Sequence, residues 1–342
     1  MMLTIPRFLV IAASASLTVA LPSKSLGKHG FAWDAIQYLI AFGDSYTYVQ
    51  GTEGHQNYSF IGDQLNFDYD AQALLNNKIV QNQTATAEGG PNWIEYLTGC
   101  GVEKGLTSPF SCTRQLWDFA FAGADISVAH TPLHHNFTVS LVKQIAQYRR
   151  YGHPVLKHVV EPSNTLVAIW IGINDINDSA KYDVHFPTFY DELMKTLFAS
   201  IQILYSLGYR SYLFLNLPPL DRTPSNQAKA SPSPNATQVA WFNDALAQHA
   251  GRLSQQHPDT NILLFDAHSA LSDMMDHPAQ YGILNTTTFC PGYDQPDIDR
   301  NYRAYGCPTP LDTYFWFNSG HLTSHVHKQL AETLEGKLRH WT

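Results

Sequence analysis

Residues Ile36-Gln-Tyr-Leu-Ile-Ala-Phe42 form a short, nearly continuous apolar run that stops at Gly43-Asp44-Ser45-Tyr46. A run of this length, ended by a glycine and an aspartate, reads as a strand buried on both faces and followed by a tight turn. Three later runs have the same form: Leu166-Val-Ala-Ile-Trp-Ile171 before Gly172, Tyr212-Leu-Phe-Leu-Asn-Leu217 before Pro218, and Ile262-Leu-Leu-Phe265 before Asp266. Leu116 to Phe121 is a candidate fifth strand. Between these runs the apolar period lengthens. Leu193, Leu197, Ile201 and Leu204 lie on one helical face that Gly208 terminates, and Val239, Phe242, Leu246 and Leu253 make a second such face. Val139, Val142, Ile145 and Tyr148 make a weaker third, and a last helix runs from about Thr323, a suitable N-cap, toward Leu338. Strands alternating with helices predict an α/β protein with a mainly parallel central sheet. Pro218 to Pro234, rich in Pro and Ser, reads as an excursion loop. There is no internal repeat, heptad run or dividing linker, so residues 21–342 are expected to form one domain.

The remaining composition narrows the function. The chain has 342 residues, 21 basic against 29 acidic, a net charge of −8 and only 15% charged residues. Such a balance argues against a nucleic-acid partner, because phosphate binding relies on clustered Lys and Arg. With 44% hydrophobic and 13% aromatic residues, a large core can form and intrinsic disorder is excluded.

Met1 to Ala20 carries one early positive charge, Arg7, and an apolar run from Phe8 that ends in a small residue. It reads as a secretory signal peptide, too short to span a membrane. No later stretch is apolar for long enough to do so, and no membrane association is expected. In an oxidising compartment Cys100 and Cys112, and Cys290 and Cys307, are natural partners for two local disulfides, although four cysteines allow three connectivities. Six N-x-S/T sequons, at Asn57, Asn82, Asn136, Asn177, Asn235 and Asn285, fit an extracellular glycoprotein, although so short a motif also arises by chance.

In an open α/β sheet, ligands bind beyond the carboxyl ends of the strands. Ser45 stands at the first such end, where its hydroxyl would be exposed beside helix-start N–H groups; the plainer reading is a helix cap. Asn174, in Gly172-Ile-Asn-Asp175, could aim an amide N–H at an oxyanion or could simply make a turn. Gly123, in Ala120-Phe-Ala-Gly-Ala124, permits close backbone approach to a ligand, or forms a bulge. His321, in Asn318-Ser-Gly-His-Leu-Thr323, sits just before the last helix, where it could fold back over Ser45.

Taken in chain order, Gly-Asp-Ser-Tyr, Gly123, Gly172-x-Asn174-Asp175 and His321 resemble the GDSL, or SGNH, hydrolase family, whose named Ser, Gly, Asn and His fall on Ser45, Gly123, Asn174 and His321. The stretches Ala41 to Gly51, Gly89-Gly-Pro-Asn-Trp93 and Leu116 to Asp125 resemble, more narrowly, the secreted fungal acetylesterases of carbohydrate esterase family sixteen. The resemblance implies a three-layer α/β/α sandwich of flavodoxin-like kind. It also implies an acetylated sugar or xylo-oligosaccharide substrate, an acyl-enzyme on Ser45, and an oxyanion hole of the Ser45 and Gly123 backbone N–H and the Asn174 side chain. No metal or cofactor is required. The family's last block is Asp-x-x-His-Pro-Thr, whereas this chain has Asn318 three residues before the histidine. An amide oxygen can still orient the imidazole but brings no charge, so the expectation is a Ser-His dyad or an Asn318-oriented ring, with Asp312 as a substitute carboxylate. A base without a carboxylate neighbour should have a lowered pKa.

His321, His325 and His327 include an i, i+4 pair, but no HExxH pattern or third ligand makes zinc a good reading. Tyr46, Tyr48, Trp93, Trp316 and Phe317 flank the motifs. Tyr46, Trp93 and Trp316 are taken as sugar-contacting, against the alternative that each packs in the core. Two other functions compete: a lipase or phospholipase of the same fold, which would need an extended apolar acyl channel, and a non-catalytic carbohydrate-binding protein.

Overall fold

The computed structural model describes residues 31–341; the expected signal segment, 1–20, lies outside them. Each expected apolar run forms a strand: β1 Tyr38–Gly43, β2 Gln115–Asp118, β3 Thr165–Trp170, β4 Ser211–Leu215 and β5 Asn261–Phe265. They make one five-stranded sheet in the order β5-β4-β3-β1-β2, parallel throughout, with Tyr38 opposite both Gln115 and Thr165. All six residues of β3 and five of six in β1 are buried, which is why these strands read as continuous apolar runs rather than alternating ones. The boundaries shift slightly. Ile36 belongs to the exit of a short 3-10 turn, Trp33–Ala35, so β1 begins at Tyr38. The fifth run leaves regular pairing after Asp118, yet Phe119 N–H and Phe121 N–H still donate to the Ala41 and Gly43 carbonyls, so it follows β1 to the turn at Ser45.

The helices that position the site are α1 Trp93–Thr98, α2 Leu141–Gln147, α3 Ile173–Ser179, α4 Phe186–Ser206, α5 Ala236–Gln256, α6 Ala267–Asp276 and α7 Ser324–Arg339. Leu193, Leu197, Ile201 and Leu204 of α4 are all buried, as are Val239, Phe242, Leu246 and Leu253 of α5. Removing each such side chain from water contributes about 1.5–3 kcal/mol, enough to dock an amphipathic face on a sheet. α4 packs on α5 and α2, and α7 packs on α1 and α6, so helices cover both faces of the sheet. Gly208, with φ +102°, ends the first turn of chain after α4, and the Thr323 hydroxyl caps α7 by accepting from Val326 N–H. The expected loop from Pro218 to Pro234 contains two short helical turns, tied down by the buried Asn226 amide, which donates to the Leu220 and Pro234 carbonyls.

The strand order is that of a flavodoxin-like sheet, whose direction of winding reverses between β1 and β3. Residues 43–46 after β1 and 171–175 after β3 therefore face each other at the switch point. Both disulfides are formed, Cys100–Cys112 and Cys290–Cys307, with Cα–Cα distances of 5.4 and 5.2 Å. Cys290–Cys307 lies in a small core of its own with Ile298, Leu311, Tyr314 and Phe317, built from the long segment between α6 and α7. Among the described residues no helix is long and apolar enough to cross a membrane.

Candidate active site

The turn after β1 is fixed before any ligand is considered. Thr47 N–H and Tyr48 N–H donate to the Asp44 carbonyl, and Tyr46 N–H donates to Asp44 Oδ1 at 3.0 Å. Gln144, buried on α2, brackets Gly43: its Oε1 accepts from Gly43 N–H at 3.1 Å and its Nε2 donates to the Gly43 carbonyl at 2.8 Å. Behind the turn, Asn92 donates to the Thr47 and Tyr48 carbonyls and caps α1 in a reciprocal box with Glu95. These contacts leave Ser45 at the surface of a cavity, 8% exposed.

His321 reaches Ser45 from the loop before α7. Its Nε2 lies 2.9 Å from Ser45 Oγ, and its Nδ1 lies 3.1 Å from Asn318 Oδ1. Asn318 Oδ1 also accepts from Gly320 N–H at 3.0 Å and His321 N–H at 2.9 Å. Those two backbone donors identify the atom facing the ring as the amide oxygen rather than the nitrogen. It follows that Nδ1 carries the proton and donates, so Nε2 presents its lone pair to the serine hydroxyl. Burial pushes the His321 pKa down to about 4. The sequence led to the same direction from a missing carboxylate; the cause here is desolvation. Asp312 is exposed on the 3-10 turn Leu311–Thr313, and the polar partners of the His321 ring are Ser45 and Asn318.

Gly123 lies on the loop after β2 with φ +78°, a conformation that side chains disfavour. The buried Asp175 carboxylate accepts from Ile126 N–H with both oxygens, at 3.1 and 3.0 Å, and so ties that loop to the start of α3. Asn174 Nδ2 donates one hydrogen to the Ala124 carbonyl at 2.9 Å, leaving the other for the cavity it lines. Gly172 has φ +115°, and a Cβ there would stand 2.2 Å from the Phe242 ring, so only glycine admits this entry to α3. Among the described residues, the Ser45 and Gly123 N–H groups donate to no other protein group. Two backbone donors and one side-chain donor border the serine, an arrangement that can accept developing negative charge on an acyl oxygen.

The cavity has a volume of about 680 Å³. Tyr48, Tyr58, Tyr293, Phe317, His134 and Asn177 contribute to its wall, whereas its aliphatic lining is limited to Ala87, Ala122 and Ile173. Two of the three aromatics expected to touch sugar are elsewhere. Trp93 is fully buried behind the serine turn, its indole N–H directed at Thr47 Oγ1 and its ring edge-on to Trp170. Trp316 is fully buried and donates to the Thr286 carbonyl. Both are too large and too apolar to remain at a wet surface when core space is available, so packing claims them. Tyr46 borders the cavity but is buried, packed on Trp170, His321 and His327, and its hydroxyl donates to the Gly320 carbonyl at 2.5 Å. It holds the His321 loop rather than offering a ring face.

His325 and His327 also turn away from His321. His325 Nε2 bonds the Tyr281 carbonyl, and the buried His327 accepts from Trp93 N–H at Nδ1. Five sequon asparagines are exposed and Asn285 is half-buried; Asn57 and Asn177 stand on the cavity wall. Gln144 and Asn92 were not singled out from the sequence, though a Gln between two core positions of α2 and the Asn92-x-x-Glu95 spacing are both readable signals. Beneath the site, burial raises the carboxyl pKa of Asp44 to about 7. Asp125 also rises to about 7, through burial and then the neighbouring Asp178 charge, an effect that His134 and the Thr131 hydroxyl partly offset.

Residues 39–334 match the family of GDSL-like lipases and acylhydrolases. The chain belongs to that family. It is thus a carboxylic ester hydrolase. An acetylesterase of Thermothelomyces thermophilus is 25% identical over 309 residues, covering 87% of each chain. An acetylesterase of Hypocrea jecorina is 22% identical over 349 residues, covering 90% of this chain and 92% of its own. Among solved structures, a carbohydrate acetylesterase from Sinorhizobium meliloti aligns over 90% of this chain and all of its own, at 12% identity and a TM-score of 0.43.

Proposed function

We propose that this GDSL hydrolase is a secreted serine esterase that removes acetyl groups from carbohydrates, acetylated xylo-oligosaccharides or similar hemicellulose fragments, through an acyl-enzyme. The observation that carries the reading is the Ser45–His321–Asn318 relay opening on a cavity walled by tyrosines and amides, whose aliphatic lining among the described residues is limited to Ala87, Ala122 and Ile173. Tyrosine faces and amides suit the C–H faces and hydroxyls of a neutral sugar, and an acetyl group needs little apolar space. Relatives named acetylesterase over most of the chain support the same substrate class. Two disulfides and five exposed sequon asparagines support secretion.

Ser45 Oγ attacks the acetyl carbonyl carbon as His321 Nε2 removes the hydroxyl proton. The oxyanion is held by Ser45 N–H, Gly123 N–H and the free hydrogen of Asn174 Nδ2. His321 then delivers its proton to the departing sugar oxygen, which leaves an acetyl-enzyme, and next takes a proton from the water that attacks it. Asn318 holds the imidazole tautomer through both halves. Initial rates on acetyl and octanoyl esters of one leaving group, measured for the wild type and Ser45→Ala, test the reading. Acetyl should be cleaved faster, and only by the wild type. Faster octanoyl cleavage would make the protein a lipase, and equal rates for wild type and variant would make it a non-catalytic sugar binder.

A further inference from the structure

Behind His134, which lines the cavity, stands a polar group that the esterase reaction does not use. Asp125 is 1% exposed, and neither of its carboxylate oxygens meets a donor in good hydrogen-bond geometry, although the nearby Thr131 hydroxyl tempers the rise in its pKa. His134 and Asp178 stand beside it, the His134 Nε2 2.8 Å from Asp178 Oδ2, and one ligand atom from each of the three residues lies within 4.8 Å of the other two. Among the described residues this is the only such group. Three donors surrounding one ion at about 2.0–2.2 Å are separated from each other by about 3–4.5 Å, so modest side-chain adjustment would close the shell.

We propose that Asp125, His134 and Asp178 form a binding site for a first-row divalent cation. Two carboxylates and one imidazole suit Mn²⁺, Co²⁺ or Zn²⁺ better than Mg²⁺ or Ca²⁺, which favour all-oxygen shells. The His134 and Asp178 side chains are 31% and 27% exposed, so water can complete the shell. The site also removes an electrostatic difficulty. Asp44, Asp125 and Asp175 are all buried, and negative charge near the oxyanion donors opposes an oxyanion; a divalent cation held by Asp125 and Asp178 offsets the charge of those two carboxylates. His134 packs on Gly123, its Nδ1 only 3.4 Å from where a Cβ at 123 would stand, so a metal held by His134 and Asp125 would brace the loop carrying the Gly123 donor from both sides.

The test is calorimetric titration of the chelator-treated full chain with Mn²⁺, Co²⁺ and Zn²⁺, with melting temperatures recorded in parallel. The wild type should bind one equivalent of at least one of these ions. At about a hundredfold excess over Kd, its melting temperature should rise by about 5 °C. Asp178→Asn and His134→Gln should each lose that binding and that shift. Asp178 is partly exposed and off the core, so its variant folds even if a change at Asp125 does not. The proposal is overturned if no saturable binding occurs up to millimolar cation. It is equally overturned if binding survives in both variants, which would assign it to other histidines.

Discussion

The substitution Asn318→Asp separates the two things a catalytic triad acid does, because this chain has kept one and lost the other. Asn318 Oδ1 already accepts from Gly320 N–H, His321 N–H and His321 Nδ1. A carboxylate oxygen can accept all three, so ring position and tautomer should be unchanged. What is added is a negative charge 3.1 Å from Nδ1 in a buried site. An opposite charge at this range raises a pKa by about 1–3 units, so the imidazole should move from about 4 to roughly 5–7. Protonated His321 cannot act as base, so activity falls as pH drops through that value. The acid limb of kcat/KM should therefore lie near pH 4 in the wild type and 1–3 units higher in the variant, with the ordering reversed above the new limb. There, each unit of added basicity is about 1.36 kcal/mol of imidazolium stabilisation; if half is realised in the transition state, the plateau rises about 3- to 30-fold. Stopped-time assays on an acetyl ester from pH 3.5 to 9 read both quantities. If limb and plateau were both unchanged, Asn318 would not be the partner of the imidazole.

Other outcomes follow from the same contacts. Gly123→Ala forces a side chain into φ +78° and displaces one oxyanion donor, so kcat should fall about 10²–10³-fold with KM little changed. Gln144→Leu leaves the N–H of buried Gly43 unsatisfied and its carbonyl with Phe121 N–H as donor, and should lower stability by about 1–3 kcal/mol in urea unfolding followed by circular dichroism. Replacing Cys290 and Cys307 by serine releases a loop closed across 17 residues, costs about 3 kcal/mol, and frees the segment that places Tyr293 on the cavity wall. KM for an acetylated oligosaccharide should then rise more than KM for a small acetyl ester, because only the former reaches that wall.

The sheet was legible because its strands are buried on both faces, which writes them into the sequence as unbroken apolar runs closed by Gly, Pro or Asp. The amphipathic helices α4 and α5 were legible from period alone. Ser45, Gly123, Asn174 and His321 could be located because strand ends dictate where a ligand can lie, and the structure brings all four to one cavity. Trp93 and Trp316 were misread because residue type and nearness to a motif say nothing about direction: an aromatic beside the nucleophile points equally well into the core, and here both do. Tyr46 shows the same ambiguity, its hydroxyl serving the His321 loop. A Gln between two core positions of α2 marks Gln144 as a buried polar residue, but its partner Gly43, 101 residues away, leaves no trace in the local sequence. The same holds for Asp125, His134 and Asp178, which only the fold assembles.

The central claim, that Ser45 carries the acyl group, is tested most directly by peptide mass spectrometry after acid quenching of the enzyme during turnover of an acetyl ester. One acetyl group should appear on the peptide containing Ser45, disappear as substrate is exhausted, and be absent from Ser45→Ala, which should be inactive. Acetylation at another residue, or hydrolysis persisting in Ser45→Ala at the wild-type rate, would contradict it.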